Sequence, residues 1–207
     1  MRAMNANATL PPAPRRAGAN RGLTEDASPR RRGSRKEKHA RDGGAAPRTH
    51  PAGPALLVAC GNSLRQDDGV GLRIAEAAEQ LFPASRLRIV AAQQLTPEMA
   101  ADLAKTELAI FVDASAMDEP GAIRFAPVTA CPDTPELHGF GAHSLEPPAL
   151  LALAQTLCGH APARAFALTV GACHFGYGED LSGPLRQAVP RALRLVGNLV
   201  GVFGKRA

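Results

Sequence analysis

After position 54 the spacing of apolar residues switches repeatedly between strand-like and helix-like periods, which predicts alternating elements. Residues 55–60 form an uninterrupted apolar run and read as a buried strand. Leu72, Ile74, Ala75, Ala78 and Leu81 then line one face of a helix over residues 69–82, which Pro83 ends. Leu87, Ile89 and Val90 mark a second strand. Thr96-Pro97-Glu98-Met99 predicts a helix start, with Thr96 as cap, Pro97 in the first turn, and Met99 and Leu103 facing inward. Residues 108–112 predict a strand that ends at Asp113. Another is expected over 121–125, after the Glu119-Pro120-Gly121 turn. Residues 127–142 carry Pro132, Pro135 and Gly139 and read as a long irregular stretch, of the kind that often carries function. Helix 146–157, strand 165–170 and helix 184–202 complete the pattern. The fold class predicted is α/β: a three-layer αβα domain around a twisted, mainly parallel sheet. In such sheets ligands sit beyond the carboxyl ends of the strands.

Composition divides the chain in two. Residues 1–50 hold twelve Lys/Arg against four Asp/Glu, whereas residues 51–207 hold twelve against fifteen. The formal charge of +5 is therefore made by the first part, which is rich in Arg, Pro, Gly and Ala and poor in large apolar side chains. The expected organisation is a disordered tail over 1–54 and a folded domain over 55–207. The basic run from Arg30 to Lys36 reads as a solvated tail in preference to a nucleic-acid contact. One Tyr and no Trp argue against an aromatic platform for bases. No apolar stretch approaches the roughly 20 residues that span a bilayer, so a cytoplasmic protein without a membrane segment is expected. Cys60, Cys131, Cys158 and Cys173 form no Cys-x-x-Cys pair and suggest neither a disulfide framework nor a thiolate zinc site. No heptad announces a partner helix, and a monomer is expected.

The most informative stretch is Cys60-Gly61-Asn62-Ser63-Leu64-Arg65-Gln66-Asp67-Asp68-Gly69-Val70-Gly71. It lies between the first strand and the first helix. A phosphate loop wants bare backbone donors there, and paired carboxylates favour a cation instead. Asp68, Asp113 and His143 share the predicted ligand edge, and two oxygens and an imidazole suit a borderline divalent ion such as nickel or zinc. Simpler roles compete: either aspartate can cap a helix or turn, and His143 can bond locally. Asp67 competes with Asp68, while His138 and His174 compete with His143, His174 ranking as a residue behind the ligands. Gly69 and Gly71 are expected to let the first helix approach the sheet, and Gly61 and Asn62 to shape the turn. Hydrolase motifs such as Gly-x-Ser-x-Gly and His-Glu-x-x-His are missing. Cys60, Cys158 and Cys173 lie in apolar elements, where a free cysteine is expected to pack as a small hydrophobe.

Gly61-Asn62-x-Leu64-x-x-Asp67-Asp68-Gly69-x-Gly71, with Asp113 and His143 following in order, resembles the nickel–iron hydrogenase maturation endopeptidases. Gln94-Leu95-Thr96-Pro97-Glu98 and the segment from Phe175-Gly176-Tyr177-Gly178 to Leu181-Ser182 fit the same family. The resemblance covers nearly all of residues 55–202 and none of the tail. It implies a peptidase that removes a C-terminal extension from the hydrogenase large-subunit precursor after nickel insertion. The nickel would be carried by the substrate and not held permanently, with Asp68, Asp113 and His143 as metal-contacting and catalytic residues. Asp68 departs from the family, where Glu is common, so its reach is one methylene shorter. Two other classes stay open: a non-enzymatic metal- or precursor-binding module, and a nucleotide-processing α/β enzyme.

Overall fold

Six consecutive residues, Ala55–Cys60, are all buried, because this strand, β1, is covered on both faces and paired on both edges. The computed structural model describes residues 53–131 and 145–203. On one side β1 pairs in parallel with β2 (Leu87–Ala92), on the other with β3 (Leu108–Ser115). Beyond β3 lies parallel β5 (Arg164–Gly171), and antiparallel β4 (Ile123–Val128) forms the edge. The order is β2-β1-β3-β5-β4. The three-layer αβα arrangement and the mainly parallel sheet are as the periodicity predicts.

Alternation along the strands separates two cores. Leu57, Ala59, Ile110, Val112 and Leu168 meet α1 (Val70–Leu81) and α4 (Gly183–Phe203). Leu56, Val58, Cys60, Ala109 and Phe111 meet α2 (Ala100–Leu103), α3 (Pro147–Cys158) and the preceding Leu95 and Met99. Burial of each large aliphatic side chain contributes roughly 1.5–3 kcal/mol. Helix α1 presents Val70, Ile74, Ala75 and Ala78 inward and stops at Phe82 before Pro83; of the expected apolar face, Leu72 is only half-buried and Leu81, at the helix end, is exposed. No described helix is long and apolar enough to cross a membrane.

Three boundaries differ from expectation. Strand β3 continues two residues past Asp113, whose register partner is Thr169 on β5. Strand β4 runs to Val128 and takes in Pro127, which from sequence reads as the start of an irregular stretch. Proline has no N–H to donate, and an edge strand tolerates this because one side has no partner. The helix expected from Thr96 opens as a 3-10 turn, Pro97–Met99, and Thr96 takes the extended cap conformation without a side-chain cap bond. Residues 1–52, including most of the predicted tail, and residues 132–144, including His138 and His143, lie outside the described residues.

Candidate functional site

Asp67 and Asp68 are neighbours with opposite environments. The loop before them is shaped by Gly61, whose φ of +138° is closed to ordinary side chains, and whose missing Cβ would lie 2.0 Å from the Asp68 carbonyl oxygen. Asn62 Oδ1 accepts from the Leu64 amide at 3.0 Å, a local turn typical of asparagine. The Asn62 amide in turn donates to Asp68 Oδ2 at 3.1 Å. A 3-10 turn, Gln66–Gly69, carries both aspartates and hands over to α1 without any side-chain cap, so neither carboxylate caps the helix.

Asp67 is fully buried. Its Oδ1 accepts from the Ser182 amide at 2.7 Å, and its Oδ2 from the amides of His174 and Cys173 at 3.0 and 3.2 Å. Burial alone would raise its pKa, but these amides outweigh it and hold the carboxyl below its ordinary value. Asp67 therefore anchors the segment after β5 to the loop after β1. Backbone bonds extend the seam: Gln66 N donates to Gly178 O at 2.8 Å, and Gly178 N to Leu64 O at 3.0 Å.

Asp68, by contrast, lines a cavity of about 660 Å³ together with Asp113. Chain order explains the meeting. The chain leaves β1 for β2 on one side and returns to β3 on the other, so the C-terminal ends of β1 and β3 flank the point where strand order reverses. Phe111 and Asp113 both line the cavity, Phe111 belonging to the core under α2 and α3. Gln93, Gln94, Leu145 and Thr169 add to its walls, and the volume lies within the range of ligand pockets, about 300–1,000 Å³.

Glu146 also lines the cavity. From sequence Glu146 reads only as a helix start; it occupies the N-cap of α3, where its carbonyl accepts from the Leu150 amide and its side chain makes no cap bond. An acidic residue ahead of Pro147-Pro148, on the predicted ligand edge, was the available signal. The Asp113 carboxyl is raised above its ordinary value, first by burial, then by the charges of Asp68 and Glu146, against an opposing bond from the Ala114 amide. Solvent reaches Asp113 through the open cleft, while surrounding protein atoms still displace bulk water. A carboxylate-lined cleft of this kind favours a bound cation or proton. Cys60, which also lines the cavity, has its thiol pushed up to about 12 by burial and by Asp113 and Glu146, which disfavours the reactive thiolate.

His174 is not among the described residues lining this cavity. It sits beside Asp67 and Cys173, a second group of metal-ligating atom types. Cys173 and Cys158 are exposed, not packed as expected, because Cys173 lies past the end of β5 and Cys158 ends α3; only Cys60 is buried. Gly71 presses α1 onto the strand ends, since a Cβ there would lie 2.3 Å from the Cys60 carbonyl oxygen and 2.9 Å from that of Val112. Gly69 instead packs on Ser63 of its own loop, so only one of the two glycines serves the helix–sheet approach.

No protein-family model matches this chain, and no curated protein matches it. Solved structures do. The hydrogenase maturating endopeptidase HybD from E. coli superposes with a TM-score of 0.55 at 21% identity, covering 73% of this chain and 94% of that one. The hydrogenase 2 maturation peptidase from Thaumarchaeota archaeon SCGC_AB-539-E09 gives 0.54 at 23% identity, covering 72% and 98%. The [NiFe] hydrogenase maturation protease HycI from Thermococcus kodakarensis KOD1 gives 0.55 at 19% identity, covering 73% and 94%. The chain therefore has the fold of these peptidases over nearly their whole length.

Proposed function

We propose that this chain is an endopeptidase that removes the C-terminal extension of a nickel–iron hydrogenase large-subunit precursor after nickel insertion. The observation that carries this is the meeting of Asp68 and Asp113 in one cavity at the strand-order reversal of a fold shared with solved hydrogenase maturation peptidases. The motif resemblance supplies the substrate class.

The chemistry follows from charge. Crowded carboxylates cost each other free energy when ionised, and a divalent cation arriving with the substrate relieves that cost. Nickel held by substrate ligands would thus favour docking of the loaded precursor over the empty one. Asp68 and Asp113 would contact the nickel, with His143 as third donor, two residues before the cavity-lining Leu145. Glu146 adds negative charge to the same wall. The cleft then holds the precursor tail, and the bound cation can polarise the scissile carbonyl or an attacking water. The protein would act as a cytoplasmic monomer.

The test is the mass of a cognate precursor, nickel-loaded or nickel-free, after incubation with this protein. Loss of a C-terminal peptide from the loaded sample alone is expected. Asp68→Asn and Asp113→Asn should each slow it by more than the ~10–100-fold of an outer-shell change. Intact precursor throughout would refute the peptidase and favour a binding module; cleavage of both samples would refute nickel gating.

A further inference from the structure

The segment after β5 brings Cys173 and His174 against Asp67, away from the described lining of the carboxylate cleft. Cys173 Sγ lies 3.4 Å from His174 Nδ1 and 3.5 Å from Asp67 Oδ2, and Nδ1 lies 3.7 Å from the same oxygen. Two arrangements bring a thiol, an imidazole and a carboxylate together. In a nucleophilic relay the imidazole uses one nitrogen for the thiol and the other for the acid. Here a single nitrogen, Nδ1, faces both, so the three donor atoms converge on one point. Zinc bond lengths of about 2.0–2.3 Å in a tetrahedron separate such ligand atoms by roughly 3.3–3.6 Å; the two sulfur edges of the triangle fall in that range, and the 3.7 Å edge between Nδ1 and Oδ2 must shorten by a few tenths of an ångström when the metal binds.

We propose that Asp67, Cys173 and His174 form a divalent-cation site of zinc type, distinct from the Asp68–Asp113 cleft, with its fourth position open to solvent. Cys173 and His174 are both exposed, which provides entry. In the metal-free protein the thiol can donate its proton to Asp67 Oδ2. On binding, that proton leaves to solvent, the sulfur–metal bond replaces the sulfur–hydrogen bond, and the cation neutralises a thiolate that would otherwise repel the carboxylate. The amides of Cys173, His174 and Ser182 hold Asp67 in place beforehand. The loaded site staples the segment after β5 to the loop that presents Asp68. It stands independently of the peptidase proposal.

Cobalt(II) is the probe, titrated into the chelator-treated full chain. One equivalent is expected to produce a thiolate-to-cobalt charge-transfer band with the strong visible bands of a tetrahedral site, both abolished by zinc. Cys173→Ser should remove the charge-transfer band, His174→Ala should weaken binding at least tenfold, and Asp113→Asn should leave the spectrum intact. Zinc should also raise the melting midpoint of the wild type and not that of Cys173→Ser, with equal midpoints in chelator showing that the variant folds. No thiolate band in the wild type, or a band that survives Cys173→Ser, would overturn the site. A spectrum lost in Asp113→Asn but kept in His174→Ala would move the metal to the cleft and also overturn it.

Discussion

At the scale of single residues, one bond vector along the chain separates a structural acid from a functional one. Asp67 receives three backbone amides in a water-free position, whereas Asp68 receives the Asn62 amide and faces the cleft. Asp67→Asn removes the charge those amides converge on and should destabilise the fold by about 2–3 kcal/mol, read by chemical denaturation. Asp68→Asn should leave the denaturation midpoint nearly unchanged. The pH dependence follows from the direction of the Asp67 shift. Because folding lowers its pKa, its contribution is complete above the ordinary carboxyl value of 3.8 and is lost as pH falls through the lower folded value. Acid unfolding should therefore occur at higher pH in Asp67→Asn than in the wild type. Asp113 has the opposite sign. Its raised pKa means that the ionised form costs stability as pH rises past the ordinary value, so Asp113→Asn should slightly raise the melting midpoint at neutral pH. A lower midpoint would contradict this.

Among the elements, α1 and β1 show how a motif glycine positions a site. Alanine is favoured over glycine inside a helix by about 1 kcal/mol. At Gly71, however, the new methyl would meet two strand carbonyls well inside contact distance, and backbone cannot swing aside. Sterics should win: Gly71→Ala is expected to cost about 1–3 kcal/mol in denaturation and to reduce precursor processing by shifting Asp68. Among the described residues, periodicity together with apolar runs revealed every strand and long helix, because each buries one face or both. It failed at β4, whose pairing through Pro127 depends on being an edge, and at the end of β3, where Asp113 stays in the ladder although its side chain faces a cleft. Composition cannot express either condition.

For the whole molecule, every buried apolar residue described lies between Ala55 and Val200. Just before β1, Pro54 O accepts a hydrogen bond from Thr106 Oγ1 at 2.7 Å. Because the first fifty residues are poor in large apolar side chains, a chain starting at Gly53 is expected to unfold with the midpoint of the full chain; a lower midpoint would show that the first 52 residues contribute to the fold.

The local pattern of this sequence determined its element types, their alternating order and the loop with paired carboxylates, because helix and strand periods and backbone turn preferences act over a few residues. Tertiary structure alone decided which aspartate faces the cleft, that Glu146 joins it, and that Cys173 and His174 meet Asp67. Those facts depend on which strand ends become neighbours, and the pairing of segments some 50–115 residues apart is set by packing the two faces of one sheet.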